Sequence, residues 1–226
     1  MATTRALSID ERIRIPDGVF DLDGYRAWVT SNAYPERVRT TYIGGEVLID
    51  MSPESLERHN KVKTAVTADL VWFVRDRDLG EVYSDRTLLT HVRAGLSAEP
   101  DLTFVSWSAF ERERVIRTQR AGTSDDDIEL VGSPDLVVEI VSDTSVQKDT
   151  VMLRQAYARA GVEEYWLIDA RGDELEFAIF RNKQGSFQAS GAPRGPQQGL
   201  VLAGSWTLTR TTNRIGHFAY RLTHTD

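Results

Sequence analysis

Not one cysteine occurs among the 226 residues of this chain. That absence removes disulfides, thiolate nucleophiles and cysteine-ligated zinc together, and it fits a reducing compartment. Long apolar runs are missing too: none approaches the ~20 residues that a membrane-spanning helix needs, and no basic segment leads into an apolar stretch at the N-terminus. A cytoplasmic protein with no membrane partner is the expectation. Internal repeats and low-complexity tracts are also lacking. Finally, basic charge is in deficit, with 27 Lys and Arg against 34 Asp and Glu and a formal net charge of -7. A surface that is basic all round is thereby excluded, but a nucleic-acid partner is not, because phosphate-contacting residues are often confined to one rim or shared across a dimer.

With 41% hydrophobic residues, the chain suffices for one sizeable core, and a single domain over 1–226 is expected. Residues 1 to about 25 are polar and weakly periodic, with Ile13, Ile15 and Val19 spaced as a short segment that packs on the body. Asp23 to Asn32 suits a short helix. Val38 to Ile49 reads as a hairpin turning at Gly44-Gly45, which places Glu46 just beyond the turn. Ser52-Pro53-Glu54 offers a cap, a first-turn proline and an early acidic residue, and Val62, Val66, Leu70 and Phe73 follow at helical spacing, so a helix is expected over about 53–77. Extended segments at 81–85, 87–92 and 99–105 suggest a meander. Residues 117–129, with the Asp125-Asp126-Asp127 run, lack periodicity and suit a mobile insertion. A helix over 143–160 ended by Gly161, strands at 164–169 and 175–180, and a β-rich extension after Gly185 complete an α/β (α+β) order, a mixed sheet flanked by helices.

The stretch from Ser133 to Ser142, Ser-Pro-Asp-Leu-Val-Val-Glu-Ile-Val-Ser, is the most informative in the chain. Strand alternation puts Asp135, Val137, Glu139 and Val141 on one face, and Leu136, Val138 and Ile140 on the other. Carboxylates in a strand this apolar cost several kcal/mol unless a cation, a metal or ordered water meets them.

Together with Glu99-Pro100-Asp101 and the long run from Tyr157 through Glu164-Tyr165-Trp166 to Asp169, that stretch resembles a large bacterial family of restriction-endonuclease-like proteins in the PD-(D/E)XK nuclease superfamily. The similarity runs from about Glu46 to Phe180. It implies a restriction-endonuclease-like domain with its core at about 46–180, added N-terminal and C-terminal β-rich segments, the latter at about 185–226, and carboxylates that bind a divalent metal for phosphodiester hydrolysis. Asp101 takes the place of the superfamily's aspartate and Glu139 that of the acidic residue in its (D/E)XK strand. Mg²⁺ or Mn²⁺ suits such a set, since both prefer oxygen ligands and retain waters. The pattern's lysine is missing, because Val141 stands two residues after Glu139. The resemblance implies a basic residue from the following helix, with Lys148 first and Arg154 second. Gln155 is placed on the same helical face as Lys148.

Further candidates carry two readings each. Asp135 is either a third metal ligand or a strand-entry residue paired with an arginine. Glu46 resembles the family's acidic residue after a turn glycine, although Gly44 stands where an aspartate is common. His59 resembles the family's helix histidine, yet its face also carries Val62, Val66 and Phe73, as a packing histidine's would. Tyr157, Tyr165 and Trp166 suit core positions, and His91, His217 and His224 show no ligand spacing. The expected function is a metal-dependent endonuclease acting on nucleic acid, DNA in the first instance, as a homodimer by analogy with enzymes that cut two strands. A catalytically degenerate binding protein and a glycosidase with paired carboxylates are the alternatives from other classes.

Overall fold

The computed structural model describes residues 15–35, 38–119 and 126–226; Ile13 and Asp125 lie outside them. A 3₁₀ turn at Asp17–Phe20 leads into α1 (Leu22–Val29), capped where Asp21 Oδ1 accepts from Gly24 N at 2.7 Å. The described N-terminal part is thus helical before it becomes extended. β1 (Arg39–Ile43) and β2 (Glu46–Asp50) form the expected hairpin. Its turn needs left-handed backbone at two successive residues, and Gly44 and Gly45 supply it at φ 57° and 98°.

The expected helix at 53–77 begins later. Ser55, not Ser52, is its cap, accepting from Arg58 N at 3.2 Å, and a widened π turn at Leu56–Asn60 precedes α2 (Lys61–Asp76). Ser52-Pro53-Glu54 therefore stays outside the helix, which frees the Glu54 side chain. β3 (Gly80–Ser84), β4 (Leu88–His91), β5 (Leu96–Ala98) and β6 (Leu102–Ser106) form where extended chain was expected, but not as a meander. β3 pairs with β6, β4 pairs with β5, and the two pairs belong to different sheets.

After the short α3 (Trp107–Glu111), the segment expected as an insertion contributes two strands, β7 (Val115–Gln119) and β8 (Asp127–Gly132), which pair antiparallel. Buried Val115 and Leu130 anchor these arms, an apolar signal that the polar stretch between them conceals. β9 (Leu136–Ile140) is buried at every position. A second π turn, Lys148–Leu153, runs into α4 (Arg154–Arg159), and Gly161 at φ 78° ends it. β10 (Glu164–Asp169), β11 (Glu176–Lys183), β12 (Ser186–Ala189), β13 (Gln197–Gly199), β14 (Gly204–Thr212) and β15 (Phe218–Thr225) complete the chain.

The central sheet has the order β12-β11-β10-β9-β6-β3, with β9 and β10 parallel and the other pairs antiparallel. A second sheet follows β2-β1-β5-β4-β8-β7, and a third β13-β14-β15. The alternation of β9 assigns its two faces. Leu136, Val138 and Ile140 pack with Val62, Val66, Leu70 and Phe73 of α2 and with Trp206 and Leu222 of the C-terminal sheet. Val137 faces the opposite core, made by Leu153, Ala156 and Tyr157 and by Leu89, Leu96 and Leu130 of the second sheet. Glu139 shares that second face, so a carboxylate points into the layer between sheet and helix. Among the described residues, no helix is long and apolar enough to cross a membrane.

Candidate active site

A cavity of about 650 Å³ opens at the ends of β6 and β9, lined among others by Asp101, Glu139, Lys148, Asp149, His59 and Glu54. Asp101 precedes β6, and its Oδ2 accepts from Ile140 N at 2.8 Å, so it is pinned beside the residue that follows Glu139. Glu139 is 3% exposed, and its Oε1 accepts from Tyr157 Oη at 2.8 Å. Burial first, and then the charges of Asp149 and Asp101, hold the Glu139 carboxyl well above the usual carboxylate range. Burial likewise pushes Asp149 up to about 6, against the pull of Lys148 and Ser145. Ser145 Oγ donates to Asp149 Oδ2, while Oδ1 is buried without a hydrogen-bond partner.

Both helices that serve the site enter it through a π turn, one carrying His59 and the other Lys148 and Asp149. Such turns widen the helix and re-aim side chains that regular winding would place elsewhere. Lys148 Nζ lies 3.4 Å from Asp149 Oδ1. Burial alone would lower its pKa, but the carboxylates of Asp149, Glu139 and Asp101 outweigh it and raise the ammonium's pKa. Arg154 is turned away, stacking over Phe180 with its guanidinium 4.9 Å from the ring centre. Gln155 is exposed, while Val141 is fully buried in the cavity wall.

On the opposite wall stands a second charged cluster. His59 Nε2 lies 3.6 Å from Asp101 Oδ2, and its Nδ1 lies 3.3 Å from Glu54 Oε2 but off the line of a hydrogen bond, leaving Nδ1 a buried nitrogen without one. Glu54, His59 and Asp101 bring one ligand atom each within 4.8 Å of one another. Burial pulls the imidazole pKa down, but Glu54 and Asp101 reverse this and raise it. One helical turn after His59, buried Lys63 reaches Glu54 Oε1 at 2.8 Å, Asp85 Oδ1 at 3.4 Å and Asp101 Oδ1 at 3.5 Å. Arg39 meets the same Glu54 oxygen at 2.6 Å. The His59 contact above all, with Lys63 and Arg39 behind it, holds the Glu54 carboxyl far below its ordinary range against the effect of burial.

The structure brings together Asp101, Glu139, Lys148 and His59, and separates two other candidates from them. Asp135 does share the face of Glu139, but four residues along a strand span about 13 Å. It sits at the far end, where Arg114 pairs with Oδ1 and Ser106 N donates to Oδ2 at 2.7 Å. Its reading as a third metal ligand gives way to the arginine-paired one. Glu46 is exposed beside the hairpin turn, at the end of β2 remote from the cavity; the opposite end, Leu48 to Asp50, lines it. The hairpin points its turn outward, so an acidic residue just after the glycines cannot reach Asp101. Glu54, Lys63, Asp149, Arg39 and Asp85 were not singled out by the sequence. The spacing His59-x-x-x-Lys63 on one helical face was the available signal for Lys63. His91 caps its own turn and His224 lies between Phe73 and Trp206, so neither lines the cavity.

Two carboxylates and an imidazole, from Glu54, Asp101 and His59, bring one ligand atom each within 4.8 Å of the others, with the His59 Nδ1 buried and lacking a hydrogen bond, and such a set fits a divalent cation. The fold compares with a solved chain described as "a putative nuclease belonging to DUF820", from Anabaena variabilis. The TM-score is 0.59 at 19% identity, over 81% of this chain and 90% of that one. A search of curated proteins found no match. The family model described as "Putative restriction endonuclease", Uma2, matches residues 24–211. That range takes in both carboxylate strands, both π turns and most of the C-terminal sheet, and the chain belongs to the Uma2 family.

Proposed function

We propose that the protein is a metal-dependent endonuclease that hydrolyses phosphodiester bonds of DNA, with Asp101 and Glu139 holding Mg²⁺ or Mn²⁺. The observation that carries this reading is the convergence of Asp101, Glu139, Lys148 and His59 on one cavity of about 650 Å³. When bound, the ion would supply Lewis acidity toward a phosphate oxygen and a more acidic water. The chain's own residues do the rest. Lys148, whose charged form its three carboxylate neighbours favour, lines the same cavity as Glu139 and would take the part of the strand's missing lysine, offering a positive charge to the phosphate. His59, whose basicity Glu54 sustains, offers a proton-exchanging nitrogen at Nε2 beside Asp101. Lys63 and Arg39 neutralise Glu54 and keep it in place, so Glu54 positions His59 and leaves the ion to Asp101 and Glu139.

We take the whole chain as the functional unit, because α2 packs both the central and the C-terminal sheet, and we place it in the cytoplasm as a homodimer. The buried Val141 favours one second reading, a nuclease fold that binds nucleic acid without cutting it. Calorimetric titration of Mn²⁺ and Mg²⁺ into the wild type, Asp101→Ala and Glu139→Ala, followed by cleavage of supercoiled plasmid, separates the two. Metal binding lost in both variants, with nicking only by the wild type, supports the nuclease. Metal binding without nicking supports the binding protein, and no binding up to millimolar metal removes the metal-first scheme.

A further inference from the structure

Between Glu176 and Asp226 the sequence contains no carboxylate, while Arg181, Lys183, Arg194, Arg210, Arg214 and Arg221 all fall there. In a chain with net charge -7 this segregation leaves the C-terminal region basic and everything before it more acidic than the total suggests. The region's longest feature, the β14–β15 hairpin, does not stand apart from the cavity. Phe218 N donates to Glu57 Oε2 at 2.7 Å, and Lys61 Nζ donates to Phe218 O at 3.1 Å. Arg210, at the stem, donates to Ala170 O at 3.1 Å and to Gly172 O at 3.0 Å. Those contacts flank Arg58 and Arg171, which line the cavity, and Arg58 itself donates to Arg171 O. The hairpin is thus tied, at Phe218 and Arg210, to the neighbours of Arg58 and Arg171 on one side of the cavity.

The tip is built to project. Gly216 turns it at φ 85°, and Asn213 Oδ1 accepts from Ile215 N and His217 N at 3.0 Å each, so the turn is held from inside. Arg214 is exposed and makes no ion pair among the described residues, whereas Arg171 and Arg194 are paired with Asp169 and with Glu174 and Glu176. Ile215 is 66% exposed beside it. A bare guanidinium and a bare apolar side chain on a braced turn suit a polyanion that offers phosphates and the edge of a groove. We infer that the Asn213–His217 tip is a nucleic-acid clamp, in which Arg214 contacts a backbone phosphate and Ile215 rests in the groove of the duplex whose scissile bond enters the cavity. The inference rests on the nuclease reading for what the cavity does, but not for the charge of the tip.

The test is fluorescence anisotropy with a short labelled DNA duplex in Ca²⁺, across a salt series, for the wild type, Arg214→Glu, Arg214→Ala and Ile215→Ser. Arg194→Glu reverses an exposed charge elsewhere and serves as the control. Binding should weaken about tenfold in Arg214→Glu, and the salt slope of log K should fall by about 1 in Arg214→Ala. The control should bind as the wild type does. Cleavage of the same duplex in Mg²⁺ or Mn²⁺ is read alongside for the wild type. Equal affinity and equal slopes in wild type and tip variants would overturn the clamp and leave the nuclease intact. Tip-dependent binding with no cleavage in Mg²⁺ or Mn²⁺ would keep the clamp and remove the nuclease, and a wild type that neither binds nor cuts DNA would overturn both.

Discussion

Lys63 gives the sharpest test of how the site is held together. Its ammonium is buried among Glu54 Oε1 at 2.8 Å, Asp85 Oδ1 at 3.4 Å and Asp101 Oδ1 at 3.5 Å. Lys63→Met keeps the apolar stem and removes only the charge. Glu54 retains Arg39, and Asp85, with a side chain 44% exposed, has water, so the loss falls on Asp101, whose side chain is 10% exposed. Removing one partner of a buried pair costs about 3–5 kcal/mol; with solvent reaching part of this cluster we expect about 3 kcal/mol. For a chain of this size that is a fall of roughly 6–12 °C in Tm. Thermal melts of metal-free protein give the number. Adding Mn²⁺ should then raise Tm more in Lys63→Met than in the wild type, because the ion replaces a missing positive charge. The double variant Lys63→Met/Asp101→Asn should recover part of the loss, since neither charge is then left alone. A fall below about 2 °C for the single variant, or an identical Mn²⁺ response in both proteins, would refute the role assigned to Lys63.

Glu139→Gln should keep a polar partner for the Tyr157 hydroxyl while removing a buried negative charge, so the metal-free protein should melt no lower than the wild type, with Mn²⁺ binding lost in calorimetry; a marked loss of stability would mark Glu139 as structural. The raised Asp149 and Glu139 carboxyls bind protons more tightly folded than unfolded, so their stabilising contribution is complete below about pH 4 and, for Asp149, is lost as pH rises through about 6. A cation competes with those protons. The Mn²⁺-induced rise in Tm should therefore grow from about pH 5 to about pH 7, and a rise that shrinks over that interval would contradict the placement of the ion. Asp135→Asn should lower stability by about 2 kcal/mol through the lost Arg114 pair, yet leave the Mn²⁺ affinity unchanged; weakened metal binding would return Asp135 to the site.

What the sequence disclosed and what it concealed divide along a physical line. Alternation in β9 correctly separated Leu136, Val138 and Ile140 from Val137 and Glu139, because a buried strand admits only two faces. It could not say how far along the strand a cavity lies, which is why Asp135 shared a face with Glu139 yet belongs to Arg114. Glu46 failed in the same way, being on the right hairpin at its wrong end. Strand pairing was illegible where it depended on long-range closure: nothing local tells that β3 skips β4 and β5 to pair with β6. Glu54 was hidden by a good local signal, since Ser52-Pro53-Glu54 has the chemistry of a helix start and the cap one register later, at Ser55, won. Lys63 was hidden because a lysine within an amphipathic helix is usually solvated.

The same cluster explains how the chain manages without a lysine in its carboxylate strand. Glu54, Asp85, Asp101, Glu139 and Asp149 are met at close range by Arg39, Lys63 and Lys148, which leaves two more carboxylates than permanent cations. The metal-free protein answers that shortage in the way a low-dielectric site must, by holding protons: of these five carboxyls, Glu139 and Asp149, the pair deepest in the wall, have raised pKa values, and burial raises that of Glu99 in the same cavity as well. A divalent ion supplies two positive charges at that place and would displace those protons. Val141 therefore does not by itself mark a lost site. The positive charge that the strand lacks has moved to two helices, Lys148 at the start of one and Lys63 within the other.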